Sequence, residues 1–348
     1  MLIDGIHIPL TVPFARDGKS YLRKLEYNVG RYSLTPAAGL VALTSEGGAL
    51  SDDEVGEALR VIGVAAATDK VLVAAIAKDS VRGSLAIAEM AAAAGFDAML
   101  LGAPTQWKRL SRNELMTFFG AVADASPLPV MLSSDAGAYQ FSIAVIAELA
   151  RHWNVIGLYD DGLTLERYRA IVAATQGVKR EVTVTTVFAP VTRRMVLRGR
   201  REEQSEAAFV TAEALAGGKA VAMVAMAPAV KTRAKMVGFQ VMAAGSARGV
   251  VELLEAGVAG ALLDLSACAP QGCYEAYAAL KDGDAALAAE KGERLVEADA
   301  VILEMGVAGI KYGCDCNGYY GGAPRLPRLP LDAEGRVRVD RAMAGIRN

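Results

Sequence analysis

Several things are scarce in this chain of 348 residues, and each scarcity removes a class of answer. Neither sign of charge dominates: 37 Lys and Arg stand against 39 Asp and Glu, a formal net charge of -2. Nucleic-acid binders carry a clustered basic surplus, so no nucleic-acid partner is expected. Long apolar runs are missing. Mean hydropathy is +0.27, yet no stretch reaches the ~18 consecutive apolar residues of a membrane span, so no membrane partner is expected. The apolar residues come instead as short Ala, Val and Leu runs broken by Gly and charge. Cysteines number four, two of them in Cys314-Asp315-Cys316, which is too few for a disulfide framework at this length. Met1-Leu2-Ile3 lacks a basic start and Asp4 interrupts the apolar one, so no secretory leader is read and a cytoplasmic protein is expected. With 53% hydrophobic residues, disorder is excluded.

What the chain does have is alternation. Apolar, β-forming runs begin at Gly5, Gly39, Val71, Ala98, Pro129, Val155, Phe239 and Gly260. Between them lie stretches at helical spacing: 52–66, 84–94, 112–125, 142–152 and 247–256. Ser51 followed by Glu54 is a helix-start signature, and Pro270 opens a further helix. Strand–helix alternation of this kind predicts parallel strands with crossover helices, and eight units close a (β/α)8 barrel. A bare barrel needs roughly 250 residues, so there is surplus chain to place. It falls in two blocks. Residues 1–300 are expected to form the barrel, interrupted by an insertion at 178–236. Residues 301–348 are expected to hold the end of a long helix (284–305) and a Gly/Pro-rich irregular strap. Within the insertion, 181–188 and 219–226 read as strands and 205–216 as a helix. The basic stretches 192–195 and 231–236 read as helical, each following a strand and a proline.

The chain also resembles the dihydrodipicolinate synthase / N-acetylneuraminate lyase family, pyruvate-handling aldolases built on a (β/α)8 barrel. The likeness covers about 3–178 and 237–331. Gly5 to Phe14 with Asp17-Gly18 resembles the family's first strand and its Thr-Pro-Phe and Asp-Gly turn. Gly39 to Glu46 with Leu50-Ser51 resembles the Gly-Thr-Thr-Gly-Glu loop and the next helix start. Leu128 to Leu132 and Asn154 to Leu158 resemble the fifth and sixth strands, and Gly322 to Pro327 the C-terminal Gly-Gly and Arg-Pro-Pro segment. The resemblance implies a lyase acting on a small oxo- or hydroxy-carboxylate, no cofactor, and a homodimer or homotetramer. It also implies a lysine at the end of the sixth strand that forms an imine with the 2-oxo group. Here that position is Tyr159, and a phenol forms no imine. The family tyrosine of the fifth strand is matched by Ser133, the Thr-Thr pair by Leu43-Thr44, and the Pro-Tyr-Tyr loop by Pro104-Thr105-Gln106.

Reactive groups in such barrels stand at the C-terminal strand ends. Those ends offer Thr44, Ser45 and Glu46; Lys78 and Asp79; Ser133, Ser134 and Asp135; Tyr159, Asp160 and Asp161; and Asp264, Ser266 and Cys268. The candidate catalytic residues are Tyr159, Thr44, Ser133, Glu46 and Lys78. The candidate binding residues are Ser45, Ser134, Asp79, Asp160 and Asp264. No metal ligand is assigned. Three readings stay open: an imine relocated to Lys78, acid–base or metal-assisted chemistry on the carboxylate rim, and a silent small-ligand binder. Lys78 reads equally as one half of an ion pair with Asp79 or Glu46. His7 reads as a hydrogen-bonded core group, His152 as a helix cap, and the cysteines as buried thiols.

Overall fold

The computed structural model describes residues 1–105, 110–198 and 230–346. Eight parallel strands close a barrel: β1 (Gly5–Pro9), β2 (Gly39–Ala42), β3 (Val71–Ile76), β4 (Ala98–Gly102), β5 (Val130–Asp135), β6 (Val155–Asp161), β9 (Gln240–Gly245) and β10 (Gly260–Leu263). Their order around the barrel is β1-β10-β9-β6-β5-β4-β3-β2. The α/β barrel expected from the alternation is therefore present. Helices α1 (Leu22–Ser33), α2 (Asp52–Ala65), α3 (Val81–Ala93), α4 (Arg112–Ala125), α5 (Ile143–Leu149), α6 (Leu165–Thr175), α7 (Val250–Ala256) and α8 (Pro270–Lys281) follow the strands.

Local chemistry sets the helix starts. Ser51 with Glu54 and Ser111 with Glu114 form reciprocal capping boxes, while Ser80, Ser142 and Thr164 accept single backbone N–H bonds. Strand side chains alternate between two buried layers. Ile6, Ile8, Leu40, Leu72 and Leu132 face the helices. Val41, Val73, Leu100, Met131, Tyr159, Met242 and Leu262 fill the barrel interior. Because both faces are covered, the strands read as near-continuous apolar runs.

Between β6 and β9 the chain leaves the barrel. β7 (Arg180–Thr185) pairs antiparallel with β8 (Thr232–Val237), from Arg180↔Val237 to Thr185↔Thr232. The expected helix over 231–236 is thus a strand: the open edge of β7 supplies a ladder of backbone partners that a short isolated helix lacks. The expected helical stretch at 192–195 is helical, over 193–198. The segments 205–216 and 219–226 lie outside the described residues.

The described part of this block sits at the N-terminal end of the barrel, away from the C-terminal strand ends. Val182 and Val184 pack on Leu2, and Arg180 donates to the carbonyls of Ala150 and His152. Buried Arg194 donates to the carbonyls of Ala66 and Lys70. Asp97 accepts from the backbone N–H of Arg193 at 2.6 Å and of Leu72 at 2.9 Å. Two of the arginines that make the segment basic are therefore spent on loop carbonyls.

At the C-terminus, α9 (Ala285–Cys316) is two helical stretches joined at Gly306, whose φ of 60° lies outside the helical region, so the first stretch ends at 305 as the spacing predicts and the second extends to Cys316. The stretch read as an irregular strap also contains α10 (Ala333–Met343), started by the side chain of Asp332 and packed on α9 through Val339 and Met343. Cys268, Cys273 and Cys314 are buried free thiols. Cys268 donates to the Ile310 carbonyl and Cys314 to that of Ala267, a packing role.

Candidate active site

The C-terminal strand ends enclose a cavity of about 350 Å³, within the range of small-molecule sites. Its lining includes Thr44, Ser45, Ser133, Ser134, Tyr159 and Asp264 from the sequence-based set, and also Leu43, Thr105, Asp135, Tyr139 and Asp161. A larger and more open recess of about 860 Å³ lies beside α5 and α6 and is lined by Arg151, Trp153 and Arg180. Its lining mixes Arg151, Lys179, Arg180 and Glu181 on the outside of the barrel, whereas the mouth is where this architecture places chemistry.

Period-two alternation decides which rim residues reach the mouth. On β6, Tyr159 and Asp161 face inward and Asp160 faces the helices, where it is fully buried and bound by Arg167 through Nε at 3.0 Å and Nη2 at 2.7 Å. On β5, Ser133 and Asp135 pair in register with Tyr159 and Asp161. Ser134 borders the cavity, but its hydroxyl accepts from Phe141 N–H and Arg167. After β2, Leu43 takes φ 62°, a left-handed conformation that is costly for a residue with a branched side chain. The turn carries Thr44 and Ser45 into the mouth. The Thr44 Oγ1 is buried with no hydrogen-bond partner.

Tyr159 forms the floor. It is 1% exposed, and its hydroxyl lies 2.6 Å from Nδ1 of His7 on β1, across the barrel axis. Burial lowers the His7 pKa to about 4 and raises that of the Tyr159 phenol, so both are neutral and one proton links the two heteroatoms. Gly39 makes room for this contact, since a Cβ there would lie 2.8 Å from the His7 Cε1. His7 is thus the hydrogen-bonded core group expected of it.

The remaining candidates do not line this cavity. Glu46 is buried behind it, accepts from Val12 N–H at 2.9 Å and lies 3.2 Å from the Lys311 Nζ. Lys311 also donates to the carbonyls of Val12 and Gly321, tying α9 to the loops after β1 and β2. Burial pushes Glu46 up and Lys311 down, and their pairing opposes both shifts. Lys78 reaches outward to Asp52 at 2.6 Å, at the start of α2, a different partner from Asp79 or Glu46. Asp79 accepts from Thr105 N–H at 2.6 Å and so orders the loop after β4.

Asp135, which the sequence offers as a base or ligand of the carboxylate rim, lines the cavity together with Asp161, to which the sequence assigns no role although alternation from Tyr159 points to it. They give the cavity an acidic side. Burial raises the Asp264 pKa to about 7, with Asp161, Asp299 and Asp135 adding like-charge repulsion. Asp161 is raised for the same reasons, burial first. A carboxyl near 7 exchanges protons at neutral pH, which is the property a general acid or base needs. Among the described residues no lysine or arginine lines the cavity. Nor, among them, does any group of three or more His, Cys, Asp or Glu stand ready to hold a metal ion.

Comparison with known proteins places this geometry. Residues 2–177 match the model of the dihydrodipicolinate synthetase family. A probable mitochondrial 4-hydroxy-2-oxoglutarate aldolase from Emericella nidulans is 30% identical over 166 residues, 45% of this chain and 54% of that protein. The chain thus spans about half the length of that relative. A 4-hydroxy-tetrahydrodipicolinate synthase from Acidiphilium cryptum is 23% identical over 354 residues, 99% of each chain. Among solved structures, YagE of E. coli K12 in complex with pyruvate superposes with a TM-score of 0.76 at 20% identity, over 99% of each chain. Dihydrodipicolinate synthase DapA-2 of Bacillus anthracis gives 0.77 at 19% identity over 100% of each. These structural likenesses carry the fold, and the family match covers just over half of the sequence. The chain belongs to the dihydrodipicolinate synthetase family.

Proposed function

We propose that the protein is a lyase of aldolase or hydro-lyase type that acts on a small oxo- or hydroxy-carboxylate in the barrel mouth, without a lysine imine. One observation carries this reading: the cavity is lined by hydroxyls and carboxyls, with no amine among the described residues. The relatives' names support the substrate class, since one is a 4-hydroxy-2-oxoglutarate aldolase and another a 4-hydroxy-tetrahydrodipicolinate synthase. In this reading Tyr159 occupies the place of the family's imine-forming lysine.

Without an amine, electrons freed by C–C or C–H cleavage go onto the substrate's own 2-oxo oxygen as an enolate. An enolate needs donors aimed at it. The unpartnered Thr44 Oγ1 and the Ser133 hydroxyl meet that need. Asp264 takes the proton from the hydroxyl whose C–O bond becomes the product carbonyl, and the enolate carbon is then protonated to give the 2-oxo acid. Tyr159, locked to His7, shapes the floor and is a positioning residue. Oligomerisation as a homodimer or homotetramer is part of the proposal and is read by light scattering.

Borohydride reduction in the presence of pyruvate, followed by intact mass, is expected to leave the chain unmodified. A covalent adduct on any lysine sinks the imine-free mechanism. With a panel of 4-hydroxy-2-oxo acids, Asp264→Asn is expected to lower kcat by about 10²-fold or more, the usual scale of general acid–base catalysis. It should also remove the pH limb near 7. A second reading, a silent small-ligand binder, is favoured by the commitment of the Tyr159 hydroxyl to His7. Ligand binding without turnover across the panel would establish it instead.

A further inference from the structure

The two sides of the mouth differ in charge. The contiguous arc β5-β6-β9-β10 carries Asp135, Asp161 and Asp264. Asp135 and Asp161 are register partners on neighbouring strands. The bare backbone of Gly245 on β9 admits Asp161, because a Cβ there would lie 2.3 Å from its Oδ1. The opposite arc presents Thr44, Ser45 and Thr105 among small apolar residues. Asp135 spends its Oδ1 on the N–H groups of Gly137 and Ala138. Asp161 and Asp264 make no ion pair among the described residues. Among the described residues no cation therefore offsets the acidic arc that faces the cavity.

A ligand spanning 350 Å³ meets both arcs at once. Its carboxylate or oxo end fits the hydroxyl side, where the Thr44 Oγ1 has no protein partner. A second carboxylate at the far end would stand beside like charges in a partly desolvated site and be repelled, whereas a cation there is attracted. Selectivity of this kind is repulsion of the wrong ligand as much as attraction of the right one.

We propose that the mouth selects a zwitterionic substrate, an oxo- or hydroxy-carboxylate whose far arm ends in a protonated amine held by Asp161 and Asp264, and rejects dicarboxylates. This rests on the reading of the cavity as the reactive site and adds to it the charge of the substrate's arm.

Three probes of equal length separate the possibilities: 5-aminopentanoate, 5-hydroxypentanoate and glutarate, titrated calorimetrically into the full chain at low salt and about pH 8, where a carboxyl near 7 is mostly ionised. The expected order is 5-aminopentanoate first and glutarate last, about tenfold or more apart. Asp161→Asn and Asp264→Asn, each checked for folding by circular dichroism, should each narrow that gap by improving glutarate. Equal or tighter binding of glutarate or of 5-hydroxypentanoate overturns the proposal, as does a gap unchanged in both variants, or no binding by any probe. Ser133→Trp, which fills the cavity, separates the two layers of the argument. If glutarate is preferred and Ser133→Trp abolishes its binding, the site stands and the charge selectivity falls. If every probe binds a folded Ser133→Trp as before, the site assignment falls with it.

Discussion

Asp264 follows a buried strand and shares the mouth with two other carboxylates, so its ionised form is disfavoured in the folded chain. Its pKa is about 7 when folded and near 3.8 when unfolded. A carboxyl raised in this way binds more protons folded than unfolded, so stability falls as pH rises across that window. The penalty is absent below the unfolded value and complete above the folded one, and it is at most about 4 kcal/mol. Asp264→Asn should therefore gain stability relative to the parent at pH 8 but not at pH 4, as read by urea unfolding. An equal effect at both pH values would show that burial does not hold this carboxyl neutral. Tyr159→Phe removes the hydroxyl bound to His7 and strands a buried ring nitrogen. A loss of about 1–3 kcal/mol is expected in the same measurement. If Tyr159→Phe is neutral, the bond across the floor contributes nothing.

At the scale of elements, the strands explain both what was readable and what was missed. Hydrophobic runs, polar caps and spacing locate every barrel strand, and Ser51 with Glu54 marks its helix start as a capping box should. Alternation is also legible, and it sorts Tyr159 and Asp161 from Asp160 once one inward residue is known. Lys78 and Glu46 are different. They sit in loops, where no period fixes direction, and each turned to a partner distant in sequence, Asp52 and Lys311. Strand 232–237 is not legible in the sequence because its ladder partner, 180–185, lies far upstream. Gly245 tests the element-level account of the acidic arc. Gly245→Ala places a methyl against Asp161 at a positive φ of 74°. A fall in stability of about 1–3 kcal/mol is expected, together with loss of the preference for the amine-bearing probe. An unchanged preference would mean that Asp161 does not depend on this glycine for its position.

For the whole molecule, the barrel is closed differently at its two ends. Among the described residues the mouth presents hydroxyls and carboxyls, while the described part of the extra segment packs under the N-terminal end. The described residues of this block lie at the opposite end from the mouth. Arg194 joins it to the loops before β3 and is buried, with its charge offset by carbonyls and by nearby Asp97. Arg194→Ala should destabilise the fold by about 2–4 kcal/mol, since it leaves the buried carbonyls of Ala66 and Lys70 without this donor and removes the cation near Asp97. Ligand affinity of the folded fraction should be unchanged. A selective loss of affinity with stability intact would place this block in the working part of the protein.

Periodicity and capping are local properties, and they were enough to specify an eight-fold strand–helix barrel and to tell which residues stand at its strand C-termini. The same short-range information shows that position 159 is a tyrosine and that carboxylates outnumber cations along the rim. Charge balance over the full length, near zero, concealed the outcome at the mouth. Lys311, Arg167 and Arg194 are each drawn to buried partners elsewhere, and the cavity is left with Asp135, Asp161 and Asp264. Which ionic groups find one another depends on closure of the barrel, because their contacts join residues tens to hundreds of positions apart and no local pattern encodes that pairing.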